Sequence, residues 1–312
     1  MTLLITHPAC LLHDTGPRHP ESPDRLRAVL QALSSDEFAA LQRLEAPLAE
    51  EAALLRVHTP SYFALIREHM PRDGLAALDL DTIVSPGSWE AALRAAGAVT
   101  SAVDRVVTGE ARNAFCAVRP PGHHACASRA MGFCIFNNIA IGAMQARHRH
   151  GLQKIAVVDF DVHHGNGTQE MFERDPGLFL GSTHQGGAYP GTGWESERGV
   201  AGNIVNLPLP AGSGGEVWRR AMSEILLPRL RAFGPELILI SAGFDAHKDD
   251  PLAQLRLTAE DYFWGTREIC KIADAVCRGR VVSTLEGGYN LAALAESAAA
   301  HVRALMAEIA VE

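Results

Sequence analysis

Short unbroken apolar runs alternate along this chain with longer segments whose apolar positions recur every three or four residues. The runs cover positions 3–6, 113–118, 155–158, 177–183, 203–207, 236–241 and 280–285, with a weaker one at 43–46. Runs without polar interruption predict strands buried on both faces, and therefore a parallel sheet covered by helices. The helical segments supply the cover. One opens at Ser22-Pro23-Asp24, with proline at an early position that needs no amide hydrogen, and carries Leu26, Val29, Leu30 and Leu33 along one face. Others are predicted over 50–70, interrupted at Thr59-Pro60, over the Ala-rich 88–107, and over 132–148 with Phe133, Phe136, Ile139 and Ile141 in or near the buried face. Three more cover 216–233 despite Pro228, run from the cap Thr258 to Cys277, and follow Asn290. This alternation predicts an α/β fold: a mostly parallel central sheet of about eight strands with helices on both faces. No internal repeat is visible, and 312 residues suit a single domain over 1–312.

The run from Ile155 leads straight into polar chemistry, reading Ile-Ala-Val-Val-Asp-Phe-Asp-Val-His-His-Gly-Asn-Gly over 155–167. With strand alternation, Asp159, Asp161 and His163 leave the backbone on one side, and Phe160, Val162 and His164 on the other. A single aspartate at a strand end is ordinarily a turn or cap residue. Two aspartates and two histidines behind a buried run are different: desolvating them costs stability unless they bind something, and a divalent metal is the expected ligand. Other strand ends carry similar groups. The run 113–118 leads to Arg119-Pro-Pro-Gly-His-His-Ala125, 236–241 to Ala-Gly-Phe-Asp245, and 280–285 to Glu286-Gly-Gly-Tyr-Asn290.

In an open parallel sheet such carboxyl ends share one crevice. Asp161, His163 and Asp245 then form a three-ligand set with an open position, as a catalytic metal requires. His123 and His124 are candidates for acid and base, Asp159 and Asn166 for orienting them, and Tyr289 for steadying an oxyanion. These roles spell hydrolysis of a carbonyl compound, most simply an amide.

Composition narrows the rest. Hydrophobic residues make up 47% of the chain, enough for a large core, and the formal charge of −8 disfavours nucleic acid as a direct partner. There is no 18-residue apolar run and no charged leader, so no membrane span or secretory signal is expected, and a cytoplasmic location is. Cys10, Cys116, Cys126, Cys134, Cys270 and Cys277 lack Cys-x-x-Cys spacing and predict reduced, packed thiols. The serine-hydrolase elbow, the phosphate-binding loop and the His-Glu-x-x-His motif are missing. His58 reads as a structural hydrogen-bonding residue, His148 and His150 as solvated charges, and the Gly-rich 185–202, bearing Tyr189 and Trp194, as a binding loop. Asp79 and Asp81 belong to a solvated loop or a pocket rim. Arg25 is either an exposed first-turn charge or an interior group behind the metal.

Five segments, Arg-Pro-Pro-Gly-His-His-Ala (119–125), Met-Gly-Phe-Cys-Ile-Phe-Asn-Asn (131–138), Asp-Phe-Asp-Val-His-His-Gly-Asn-Gly-Thr (159–168), Ser-Ala-Gly-Phe-Asp-Ala (241–246) and Leu-Glu-Gly-Gly-Tyr-Asn (285–290), stand in one order along nearly the whole chain. Together they resemble the zinc-dependent histone deacetylase family, in its class II and bacterial amidohydrolase branch. The resemblance implies the arginase/deacetylase-like fold and one zinc ion held by Asp161, His163 and Asp245. It implies His124 as main general base and acid, His123 as its electrostatic partner, and Tyr289 polarising the acetyl carbonyl. Asn166 stands where the class I branch has an aspartate, which implies the class II branch and a less basic His124. Also implied is a potassium ion near the zinc, bound by Asp159, by backbone carbonyls of Asp161, His163 and Thr183, and by Ser182. Phe133 and Tyr189 look like the aromatic walls of an acyl-lysine tunnel, and Gly132 offers its carbonyl to the substrate amide.

Rival readings differ in particular residues. A module that reads acyl-lysine without hydrolysing it would tolerate loss of a ligand or of Tyr289, and none is lost. A manganese ureohydrolase on the related fold needs acidic ligands for a second metal where His123 and His124 stand. The nearest rival is an acetylpolyamine amidohydrolase, whose family members place a gatekeeping glutamate where this chain has Leu252; acetylated lysine on peptides or proteins is therefore the expected substrate.

Overall fold

The computed structural model describes residues 1–308. In chain order its strands are β1 (Thr2–Thr6), β2 (Gln42–Glu45), β3 (Ala76–Ala77), β4 (Ile83–Val84), β5 (Asn113–Cys116), β6 (Ile155–Asp159), β7 (Leu178–Gln185), β8 (Ile204–Leu209), β9 (Leu237–Ala242) and β10 (Val281–Leu285). The helices are α1 (Pro23–Ala32), α2 (Glu51–Leu54), α3 (Pro60–His69), α4 (Ser88–Val107), α5 (Asn138–His150), α6 (Asn166–Phe172), α7 (Gly215–Ala221), α8 (Leu227–Phe233), α9 (Ala259–Cys277) and α10 (Leu291–Met306).

Eight strands form one sheet in the order β2-β1-β5-β10-β9-β6-β7-β8, every neighbouring pair parallel. This is the eight-stranded parallel sheet that the apolar runs predict. All six residues of β9 and all five of β6 and of β10 are buried, because helices enclose the sheet. Helix α4 packs on α5, and α10 packs against both α9 and α1. Local chemistry sets the helix ends. Pro60 opens α3 behind Thr59, whose hydroxyl accepts the Tyr62 amide, and α9 starts in a capping box between Thr258 and Asp261. Asn290 caps α10 through the Ala293 amide. No helix among the described residues is long and apolar enough to cross a membrane.

Four details depart from the sequence pattern. The segment predicted as one helix over 132–148 becomes helical only at Asn138, where the Asn137 side chain caps the Ala140 amide at 3.0 Å. Before it, Met131 to Cys134 fold into a tight turn in which Gly132 and Phe133 are left-handed, at φ +57° and +66°. Two successive positive φ values end a helix, so the apolar spacing there belongs to a turn. Along 216–233, α7 and α8 are joined by a π-helical turn, Met222–Leu226, directly before Pro228, which has no amide hydrogen for a regular turn. The 78–85 loop is the tip and return of a small antiparallel hairpin, β3 paired with β4. Finally, β6 leaves the sheet at Asp159, so turns rather than a strand carry the residues after it. Positions 309–312 of the single-domain expectation lie outside the described residues.

Candidate active site

The four polar strand ends belong to four consecutive neighbours in the sheet, β5, β10, β9 and β6, and their carboxyl termini form one crevice. The segment after β6 brings Asp161 and His163, and the segment after β9 brings Asp245. One ligand atom from each lies within 4.8 Å of the others. His163 Nδ1 is 3.2 Å from Asp161 Oδ1 and 3.1 Å from Asp245 Oδ2. Backbone amides fix the carboxylates: Val162 N donates to Asp245 Oδ1 and Gly287 N to Asp161 Oδ2, each at 2.8 Å. Gly243 and Gly287 make room, since a Cβ at either would come within 2.1 Å of an Asp161 or Asp245 oxygen.

Two buried carboxylates this close repel each other. Burial, reinforced by Asp161, pushes Asp245 up to about 7, while His123 and His163 overcome burial and draw Asp161 down. Two carboxylate oxygens and one imidazole nitrogen, converging and desolvated, are the donor set a divalent ion such as zinc relieves, so these residues fit the metal.

The rigid Pro-Pro-Gly turn after β5 delivers the histidine pair. Their rings lie 4.0 Å apart between centroids. His123 Nδ1 bonds Asp159 Oδ2 and His124 Nδ1 bonds Asn166 Oδ1, both at 2.8 Å. Burial disfavours a charged His123, but Asp159, Asp161 and Glu286 outweigh it and hold its pKa well above the ordinary imidazole value. Burial, with the charges of His123 and His163, holds His124 well below it. The Asn166 amide nitrogen faces the His124 carbonyl and two sulfur atoms, Cys126 Sγ and Met131 Sδ, so its oxygen is the end turned to His124.

His124, His163 and Tyr289 line one cavity of about 230 Å³ together with Asp81, Gly132, Phe133, Tyr189 and Leu252. Phe133 stands edge-on to Tyr289 at 5.8 Å, and Tyr189 edge-on to His124 at 5.2 Å. Burial pushes the Tyr289 phenol well above its ordinary value, although Arg25, 4.8 Å over its ring, pulls the other way. Ser182 pairs with Asp159 across the β6–β7 register, its hydroxyl bonded to His184 Nδ1, and the Thr183 hydroxyl accepts the Trp218 indole N–H. His58 bonds the Cys126 carbonyl and the Asn137 amide away from the pocket. Asp81 lines the pocket, Asp79 lies two residues away on the same hairpin tip, and His150 is tied to Asp104 at 2.7 Å.

Of the residues that hold the site, the sequence leaves Arg25 open between an exposed and an interior position, and assigns no role to Glu21, Arg119 and Glu286. Arg25 is fully buried. It donates to the Gly288 and Glu286 carbonyls and pairs with Glu21, which Arg119 also grips from the far side. Glu286 accepts the Gly122 amide at 2.7 Å and the His123 amide at 3.2 Å. A glutamate closing an otherwise apolar strand was the available signal for Glu286; the pairing of Glu21 with Arg119 gave none, because the two lie 98 residues apart.

The sequence profile described as the histone deacetylase domain matches residues 19–305. This chain belongs to the histone deacetylase family. It is 41% identical over 310 residues to "Histone deacetylase 14, chloroplastic" of Arabidopsis thaliana, covering 93% of this chain and 73% of that protein. It is 39% identical to "Histone deacetylase-like amidohydrolase" of Pseudomonas aeruginosa, covering 90% and 80%. Among solved structures, the HDA15 HD domain superposes with a TM-score of 0.92 at 36% identity, over 97% of this chain and 87% of that one. The arginase/deacetylase-like fold is thereby established, and the protein is a hydrolase of amide bonds, of deacetylase type. The family is generally zinc-dependent, in keeping with the Asp161, His163 and Asp245 donor set, and its substrates are acetylated.

Proposed function

We propose that this protein, as one domain over 1–312, hydrolyses the amide of acetylated lysine side chains on peptides or proteins, releasing acetate and the free amine. Asp161, His163 and Asp245 would hold one zinc ion, which when bound supplies a Lewis acid for the acyl carbonyl and acidifies water. The remaining work falls to the chain's own groups. His124 donates a hydrogen bond from its Nδ1–H to the Asn166 amide oxygen and so keeps a lone pair on Nε2. That nitrogen takes the proton of the attacking water and returns it to the departing lysine nitrogen. His123, kept charged by Asp159, stabilises the negative charge that gathers beside it. The Tyr289 hydroxyl donates to the developing oxyanion, a contribution of about 10²–10³ in rate for one such donor. Phe133 and Tyr189 enclose the aliphatic stem, and the Gly132 carbonyl accepts the substrate N–H.

A potassium ion would sit behind this floor on Asp159, Ser182 and the carbonyls of Asp161, His163 and Thr183. In support, no backbone amide among the described residues donates to the carbonyls of Asp161 or His163. A cytoplasmic location is in keeping with six unpaired, buried cysteines.

The observation that carries this reading is the sharing of one cavity of about 230 Å³ by His124, His163 and Tyr289 with the aromatic side chains of Phe133 and Tyr189. The acetylpolyamine reading draws on Asp81, a carboxylate lining the same cavity. Its Oδ1, however, is already bonded to the Gly132 amide and the Thr82 hydroxyl, and Leu252 offers no charge. The deciding measurement is kcat/KM for an acetyl-lysine peptide against N-acetylputrescine and N8-acetylspermidine, with zinc content, in wild type and Leu252→Glu. A wild-type preference for the polyamines of about tenfold, or 1.4 kcal/mol in the transition state, would refute the lysine assignment.

A further inference from the structure

We infer that Leu80, at the tip of the β3–β4 hairpin, docks an apolar side chain that flanks the acyl-lysine of a polypeptide substrate. The inference deepens the lysine reading above and rests on it. Leu80 is 100% exposed on a turn held in place by hydrogen bonds. The tip is bolted to the pocket wall. Asp81 Oδ1 accepts the Gly132 amide at 3.1 Å, Thr82 Oγ1 accepts the Phe133 amide at 3.2 Å, and the Asp81 carbonyl meets His19 Nε2 at 3.1 Å. The Asp79 carboxylate accepts the amide of Leu80 itself at 2.7 Å. Leu80 is therefore held out to solvent next to Asp81, a residue of the pocket lining.

The cavity that Asp81 lines carries two large apolar groups, Tyr189 and Leu252, each 41% exposed. Apolar side chains gathered around a cavity mark a binding surface. What meets them follows from the cavity. Its volume of about 230 Å³ accepts a side chain and its acyl group, which leaves the residues on either side of the lysine outside it, where the hairpin tip that carries Asp81 also presents Leu80. A polyamine offers only methylenes and an ammonium there, whereas a polypeptide offers its neighbouring residues.

The test compares Nα-acetyl-Nε-acetyl-lysine amide with acetylated peptides carrying Leu, Gly or Asp at the two positions on either side of the lysine. The wild type should prefer the Leu-flanked peptide. Leu80→Ser should lower kcat/KM on that peptide about five- to tenfold while leaving the Gly-flanked peptide and the single-residue substrate within about twofold, and Leu80→Met should restore it. Equal wild-type rates on Leu- and Gly-flanked peptides, or a uniform loss in Leu80→Ser across all substrates, overturns the docking role while leaving the lysine reading intact. No turnover of the single-residue substrate or of any peptide overturns the lysine reading and this inference with it.

Discussion

His124 donates its Nδ1 proton to the amide oxygen of Asn166 across 2.8 Å. A neutral acceptor fixes the ring and its tautomer without favouring the imidazolium, whereas the carboxylate beside His123 favours it strongly.

Asn166→Asp should therefore raise the pKa of His124. A base must be neutral to act, so the acid limb of the kcat/KM profile should move to higher pH, by about one to three units for a carboxylate in direct contact. A profile that stays in place would show that His124 is not the group titrating on that limb.

Replacing Asp245 with Ala removes one of the two carboxylates from the donor set and leaves the Val162 amide without its acceptor. Zinc content by atomic emission and deacetylation should both fall to background. Full zinc occupancy in a folded Asp245→Ala protein would move the metal elsewhere.

Tyr289→Phe should lower kcat by about 10²–10³ with zinc content and Tm unchanged. The ring is retained, and with it the stacking of Arg25 at 4.8 Å and the edge contact with Phe133. Near-normal kcat would mean that the hydroxyl does not meet the oxyanion.

His301 is buried between the hydroxyls of Thr266 and Ser283, each at 2.7 Å, and burial lowers its pKa to about 3. A histidine neutral in the folded state but free to protonate near 6.5 when unfolded contributes nothing above that pH and costs stability as pH falls below it. From pH 7 to pH 5 the loss from this one group is about 2 kcal/mol. Urea unfolding at the two pH values should show a gap that narrows by about that amount in His301→Gln. An unchanged gap would mean that His301 is already charged in the fold.

How far the sequence carries this far depends on the range of the interaction. Ser88 to Val107 reads correctly as a helix because its apolar spacing is local. The convergence of Asp161, His163 and Asp245 was legible because the first two follow one apolar run and the third another, and such runs read as buried strands. The order of strands was not, since β5 and β10 lie side by side although more than 160 residues separate them. Phe133 was assigned to a helix face because an apolar residue at helical spacing looks the same in a left-handed turn. Arg25 reads equally as an exposed first-turn charge or an interior group, and only its tertiary bonds to the Gly288 and Glu286 carbonyls decide for the interior.

The sheet order also sets a span. Strands β5 and β6 are three places apart, roughly 14 Å at the usual spacing, yet His123 on the chain leaving β5 touches Asp159 at the end of β6. The seven residues from Ala117 to His123 therefore arch over the ends of β10 and β9. Glu286, at the exit of β10, stands under the arch as its pier, receiving the amides of Gly122 and His123. Fully extended, seven residues reach about 23 Å, so the arch has slack for its proline turn but little to lose. Removing two residues from it would draw the histidine pair back toward β5, away from the carboxylates, while leaving every strand in register.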